Sequence, residues 1–173
     1  MKKDNVYLWT GNGWGKTTSA LGVALRAIGH GKRVVIIQFM KGRKYIGEYK
    51  IKERLKPNYE IYQFGTKRFI DLKNPTEKDK ERAKRGLEFA KKIVKTKPFL
   101  LILDEINLAA AIGLLDVKDI IDFLDSVPKS VTVYLTGRYA PKELIKRADY
   151  VTEVIPIKHP ELDTRKAKKG IDY

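Results

Sequence analysis

The residues best suited to chemistry start at Thr10, in the run Thr10-Gly11-Asn12-Gly13-Trp14-Gly15-Lys16-Thr17-Thr18. Glycines at 11, 13 and 15 let the backbone curl until successive N–H groups point at one anion. A helix N-terminus directly after them adds partial positive charge. In such a loop Lys16 reaches the distal phosphates of a nucleotide and the Thr17 hydroxyl ligates Mg²⁺. The general pattern G-x-x-x-x-G-K-S/T wants glycine at position 10, where this chain has Thr10, so the loop is a variant. A second candidate is Asp104-Glu105, at the end of the apolar residues 98–103. A strand ending in acid sets a carboxylate beside the metal that Thr17 would hold, and spacing leaves open which of the two acids ligates it. Arg138, in Thr136-Gly137-Arg138, suits a triphosphate, with a structural salt bridge as its ordinary alternative. Lys41, in Lys41-Gly42-Arg43-Lys44, is placed to meet phosphate, and a solvated loop lysine is the plainer reading.

The elements that must position these groups are legible as alternating apolar patterns. Residues 6–10 form a short buried strand and residues 18–28 a helix whose Leu21, Ala24, Leu25 and Ile28 should pack on the sheet. Gly29-His30-Gly31 stops that helix, and residues 33–39 read as a central parallel strand covered on both faces. Residues 40–57 are basic and lack periodicity, which predicts a loop on the ligand-binding edge of the sheet. A strand over 59–64, a loop over 65–70 and a long helix from Thr76 to about Thr96 follow, with Thr76 and Asp79 at its cap. After the strand ending at Asp104 come two short helices (107–115 and 116–126), a strand (130–135), a short helix (141–147) and a last strand (150–155). Residues 158–173 read as a basic tail. The fold this order predicts is a three-layer α/β domain of the P-loop NTPase, RecA-like kind, with a mostly parallel sheet, and 173 residues suit one domain.

Composition excludes several chemistries. There is no cysteine, so no disulfide or thiolate metal site forms, and with only His30 and His159 a zinc site is disfavoured. No apolar run reaches the roughly 18–20 residues of a membrane span. The N-terminus has no signal-peptide pattern, so a cytoplasmic protein is the default. The net charge of +15 admits nucleic acid, a polyanionic small ligand or a lysine-rich solvated surface. Residues 67–97 hold 12 Lys/Arg against 5 Asp/Glu, but Ala83, Leu87, Ala90 and Val94 recur there at helical spacing, which puts much of the charge on a solvated face. Nucleic acid is therefore disfavoured. Abundant Lys, Glu and Arg without cysteine also suit a thermophile's surface.

Taken in order, these motifs resemble the ATP:corrinoid adenosyltransferases of the cob(I)alamin type. That family's loop reads Thr-Gly-Asn-Gly-x-Gly-Lys-Thr-Thr, which residues 10–18 match, including the threonine that breaks the general rule. The likeness continues through residues 25–31, Gln38-Phe39-Met40-Lys41-Gly42, Leu103-Asp104-Glu105, Thr136-Gly137-Arg138, Ala148-Asp149 and Gly170-Ile171-Asp172-Tyr173. The resemblance implies that Co(I) of a corrinoid attacks the 5′ carbon of ATP and releases triphosphate, with ATP lying in the loop in the reverse sense to ordinary hydrolases. It implies Gly11, Asn12, Gly13, Trp14, Gly15, Lys16, Thr17, Thr18 and Lys41 against ATP, and Phe69 against the corrinoid. Lys16, Arg138 and Glu105 would be catalytic, and Thr17 and Glu105, with Asp104, would hold Mg²⁺. A homodimer and an electron-donor protein are further implications.

Two departures from the family pattern stand out. Only residues 1–5 precede the first strand, where family members carry an extension that helps cover the site. The loop after Thr66 reads Lys67-Arg68-Phe69-Ile70, with the phenylalanine but without the tryptophan usual near the corrinoid. Two rival readings use the same parts. In an ordinary phosphate-loop ATPase, one acting on nucleic acid in the manner of recombinase-like folds, Glu105 would polarise a water. In a non-catalytic carrier, ATP or corrinoid would bind without turnover.

Overall fold

The computed structural model describes residues 4–158 and 167–173. The apolar runs become six strands: β1 (Val6–Thr10), β2 (Val34–Lys41), β3 (Tyr59–Thr66), β4 (Leu100–Asp104), β5 (Thr132–Thr136) and β6 (Tyr150–Glu153). They form one sheet in the order β3-β2-β4-β5-β1-β6, and every pairing is parallel. Parallel neighbours need crossover connections, and the helices α1 (Lys16–Gly29), α3 (Glu77–Val94), α4 (Ile106–Ala111), α5 (Val117–Ser126) and α6 (Lys142–Arg147) supply them. No helix among the described residues is long and apolar enough to cross a membrane.

Strand alternation divides the core in two. On β4, Leu101 and Leu103 point into a cluster built with residues of α3, α4, α5 and α6, while Leu100 and Ile102 point into a second cluster built on α1. All five residues of β4 are buried, as a strand covered on both faces requires. The result is the three-layer α/β architecture expected of a P-loop NTPase-like domain.

The inward face of α1 differs from the sequence reading. Ala20, Ala24 and Ala27 are buried against the sheet, whereas Leu25 is 64% exposed, and Leu21 and Ile28 are only partly covered. The strands beneath present Val34, Ile36, Ile102 and Tyr134, so a close helix needs small side chains facing them. An alanine stripe satisfies this and turns Leu25 outward. Residues 40–57 are also more ordered than a loop: a helical turn α2 (Gly47–Lys50) and a 3₁₀ turn (Ile51–Glu53) pack Tyr49, Ile51 and Leu55 on the α1 side of the sheet.

The cap of α3 forms as the spacing predicts. The Thr76 hydroxyl accepts from the Asp79 N–H, and the Asp79 carboxylate accepts from the Thr76 N–H at 3.1 Å. Ala83, Leu87, Ala90 and Val94 are buried beneath it. Its charges meet neighbours one turn away, Lys80 with Glu77, Arg82 with Asp79 and Lys91 with Glu88. Such pairs contribute little to stability, but they give Lys80, Arg82 and Lys91 partners within the helix itself.

Candidate functional site

The C-terminal ends of β1, β2, β4 and β5 converge on one edge of the sheet, and each delivers a functional side chain there. From β1 the chain enters the glycine loop, which is laced to the segment after β6. Gly13 N–H donates to the Val154 carbonyl (2.7 Å), and Val154 N–H donates to the Thr10 carbonyl (2.9 Å). This lacing needs glycine at 11 and 13. A Cβ on Gly11, whose φ is +93°, would stand 2.5 Å from the Val154 oxygen, and one on Gly13 would stand 2.7 Å from Val154 Cγ1. Thr10 has its own task, because its hydroxyl accepts from the Ala140 N–H at 3.1 Å and ties β1 to the segment after β5. We expect Gly11→Ala to cost about 1–3 kcal/mol of folding stability and to weaken nucleotide binding, measured by urea unfolding and titration calorimetry.

Lys16 opens α1 and is only 8% exposed. Its ammonium donates to the Gly13 carbonyl at 2.5 Å, folded back over the loop it will serve. Burial, and then the nearby Arg138 charge, lower its pKa, with Glu105 opposing them.

Asp104, at the end of β4 and 1% exposed, is the hub of the site. Its Oδ1 accepts from the hydroxyls of Thr17 (2.8 Å) and Thr136 (2.7 Å), and its Oδ2 from Gln38 Nε2 (3.1 Å) and the Lys41 ammonium (2.7 Å). Burial alone would raise the carboxyl's pKa. The Lys41 charge, with the hydrogen bonds from Lys41, Thr136 and Thr17, outweighs that and holds it below the ordinary carboxylate value. The acid hydrogen-bonded to Thr17 is therefore Asp104.

Lys41 reaches this hub through a break in β2. Phe39 and Met40 are consecutive, yet both pack against the same cluster, because Met40 has φ +59°. The left-handed residue interrupts the alternation and returns Lys41 to the side of the sheet where Gln38 meets Asp104. A left-handed methionine costs about 1–2 kcal/mol. Lys41 thus faces Asp104 and, at 3.3 Å, the Thr17 hydroxyl, an internal pairing that the sequence did not foretell.

Glu105 follows with φ +66° and its N–H on the Thr136 hydroxyl (3.1 Å), which turns its carboxyl out of the strand line. Its Oε2 is buried with no hydrogen-bond partner among the described residues. Burial, then the Asp104 charge, raise its pKa, against Lys41, Lys16 and Arg138. A raised acid means that ionised Glu105 costs the fold stability at neutral pH, and that the cost fades as pH falls through the raised value. Glu105→Gln should therefore raise the thermal midpoint at pH 7, with a gain that shrinks on acidification, measured by scanning calorimetry across pH.

Two cavities meet over these groups. The polar one, about 410 Å³, is lined by the loop from Gly13 to Thr18, with Lys41, Glu105 and Arg138. The other, about 480 Å³, has Met40, Ile46, Phe69, Ile70, Leu72, Leu108 and Tyr139 on its apolar walls. Lys41, Glu48, Glu105, Arg138, Asp172 and Tyr173 line both. Of the sequence-predicted residues, Gly13, Trp14, Gly15, Lys16, Thr17 and Thr18 line the polar cavity and Phe69 the apolar one, where Phe69 is 87% exposed beneath the Arg43 guanidinium at 3.9 Å. Gly11 and Asn12 line neither, and Gly11 is held against Val154 by the lacing of the loop. Sequence reasoning missed Glu48 and treated residues 158–173 as a tail, although Gly170–Tyr173 line the polar cavity. Their resemblance to the family's ending was the available signal.

The donor set fits Mg²⁺: the Thr17 hydroxyl and the carboxylates of Asp104 and Glu105 are hard oxygen ligands, and the orphaned Glu105 oxygen lacks a partner that a cation would supply.

Residues 2–173 match the family described as ATP:corrinoid adenosyltransferase BtuR/CobO/CobP. The chain is 34% identical over 169 residues to the corrinoid adenosyltransferase of Escherichia coli K12, covering 97% of this chain and 85% of that protein. It is 35% identical over 170 residues to corrinoid adenosyltransferase CobA of Salmonella typhimurium, covering 97% and 85%. For the Pseudomonas aeruginosa corrinoid adenosyltransferase the identity is 32% over 165 residues, covering 95% and 81%. A variant phosphate loop, an acid-tipped β4 and a shared cavity wall are thus parts of a chain that belongs to the ATP:corrinoid adenosyltransferase family.

Proposed function

We propose that the paired cavities carry out transfer of the 5′-deoxyadenosyl group of ATP to the Co(I) of a corrinoid, with ATP on the phosphate loop and the corrinoid in the apolar cavity. The observation that carries this reading is the shared wall. A polyanionic donor and a broad, largely apolar acceptor need adjoining compartments, and Lys41, Glu105 and Arg138 stand where these two meet. The cobalt electron pair forms the Co–C bond as the C5′–O bond breaks, and the bonding pair of C5′–O leaves on triphosphate, so cobalt passes from Co(I) to Co(III). No protein nucleophile is needed, and neither is the cysteine chemistry that the chain lacks.

The protein's task is electrostatic. Lys16, Arg138 and the loop N–H groups stabilise the charge that develops on triphosphate in a partly dehydrated site. Mg²⁺ would be held by Thr17 and Asp104, with Glu105 beside them, and would neutralise part of that charge. Phe69 would lie against the corrinoid, its ring held by Arg43. A homodimer and a protein supplying the electron for Co(I) complete the proposal. An ordinary ATPase acting on nucleic acid is not favoured, since the family is that of the adenosyltransferases and the basic α3 is laced with ion pairs.

ATP carrying ¹³C at the 5′ carbon tests the reading. With reduced corrinoid, the label should appear on a light-sensitive cobalt–carbon product. Label remaining in ADP or AMP would overturn it.

A further inference from the structure

We propose that Lys41 is a resident cation, which holds the metal position until a divalent ion enters and displaces it from Asp104. The proposal deepens the reading above, since it takes the divalent ion to sit at Thr17 and Asp104.

Three observations carry it. First, Asp104 is a buried carboxylate whose salt-bridge partner among the described residues is Lys41, at 2.7 Å. A buried charge needs such a counter-ion, and Lys41 provides it. Second, the ammonium is placed as a metal would be. It touches both Asp104 Oδ2 and the Thr17 hydroxyl oxygen, and that hydroxyl already gives its proton to Asp104 Oδ1. The lone pairs of Thr17 therefore face Lys41, and a divalent ion ligated by Thr17 competes for them. Third, the placement is built at a backbone cost. Met40 at φ +59° interrupts β2 and aims Lys41 at the hub, and strain of this kind persists where the surroundings enforce it. Gly65, paired with Met40 across β2 and β3, lets the kinked backbone approach, because any Cβ there would collide with Met40.

The Lys41 side chain is 27% exposed and borders both cavities, so it has somewhere to go. Displaced from Asp104, its ammonium turns toward the phosphate-loop cavity. Metal entry and engagement of the anion by Lys41 then become one exchange. Without nucleotide the protein itself competes against the metal, and metal binding is weak until a polyphosphate offers the displaced ammonium a new partner.

Mn²⁺ is the probe, titrated into the full chain and read from its free-ion electron paramagnetic resonance signal, without nucleotide or corrinoid. Lys41→Met should bind Mn²⁺ about tenfold more tightly than the wild type, since a competing charge next to the ligands is gone. Adding Asp104→Asn to Lys41→Met should erase the gain. Lys41→Gln, which keeps a donor for Asp104, serves if Lys41→Met fails to fold. Equal or weaker Mn²⁺ binding by the folded Lys41 variant overturns the proposal, and so does a gain that survives Asp104→Asn. Adenosyl transfer plays no part in this titration, so failure of the assigned reaction would be seen separately.

Discussion

Lys16→Ala is expected to lower kcat/KM for triphosphate release by about 10²–10³-fold while the fold survives, a loss of the size seen when one preorganised donor to a developing anion is removed. The residue touches little else: its ammonium rests on the Gly13 carbonyl, in the loop that would cradle the leaving group. Its charge therefore acts mainly on a ligand, and the circular dichroism spectrum should be unchanged. Because the charge on triphosphate grows as the C5′–O bond breaks, the loss should fall on kcat as well as on KM. A steady-state comparison at saturating ATP separates the two. A change confined to KM for ATP would make Lys16 a binding group alone.

Asp104→Ala should be costlier to the molecule as a whole. The substitution strips an acceptor from Thr17, Thr136, Gln38 and Lys41 at once and leaves a lysine without its counter-charge. Removing one partner of a buried pair typically costs about 3–5 kcal/mol, so a large downward shift of the urea midpoint is expected. The pH dependence provides a second readout. Because the folded carboxyl lies below its ordinary value of 3.8, its stabilisation is complete above that value and is lost as pH falls through the lowered one. The alanine variant should lack that acid-dependent component. Asp104→Asn, which keeps the volume, should recover part of the stability but not metal-dependent nucleotide binding.

The parts of the site that the sequence disclosed are those written in consecutive residues. Gly11 to Thr18, Asp104 after its apolar run and Arg138 after Gly137 each announce themselves locally, and the all-parallel sheet follows from strands alternating with helices. What stayed hidden depends on contacts between distant segments. Nothing near Met40 signals a positive φ, since the reason lies in Asp104 and Gly65, 64 and 25 residues further on. The inward face of α1 was misjudged because hydropathy favours Leu25, while the bulk of Ile36, Ile102 and Tyr134 below demands the alanines. Nor does spacing announce the +66° backbone torsion of Glu105, which sets that carboxyl on a different course from the strand-aligned Asp104. Residues 170–173 reach the polar cavity from the far end of the chain, and no local periodicity predicts that.

Most directly, the account is tested by the phosphate products of a single turnover. Protein, Mg²⁺ and ATP would be mixed with and without chemically reduced corrinoid, and the phosphates resolved by ³¹P nuclear magnetic resonance. Triphosphate that forms only with the corrinoid, one equivalent for each cobalt–carbon bond, is the predicted result. ADP and orthophosphate accumulating at the same rate whether or not corrinoid is present would contradict it.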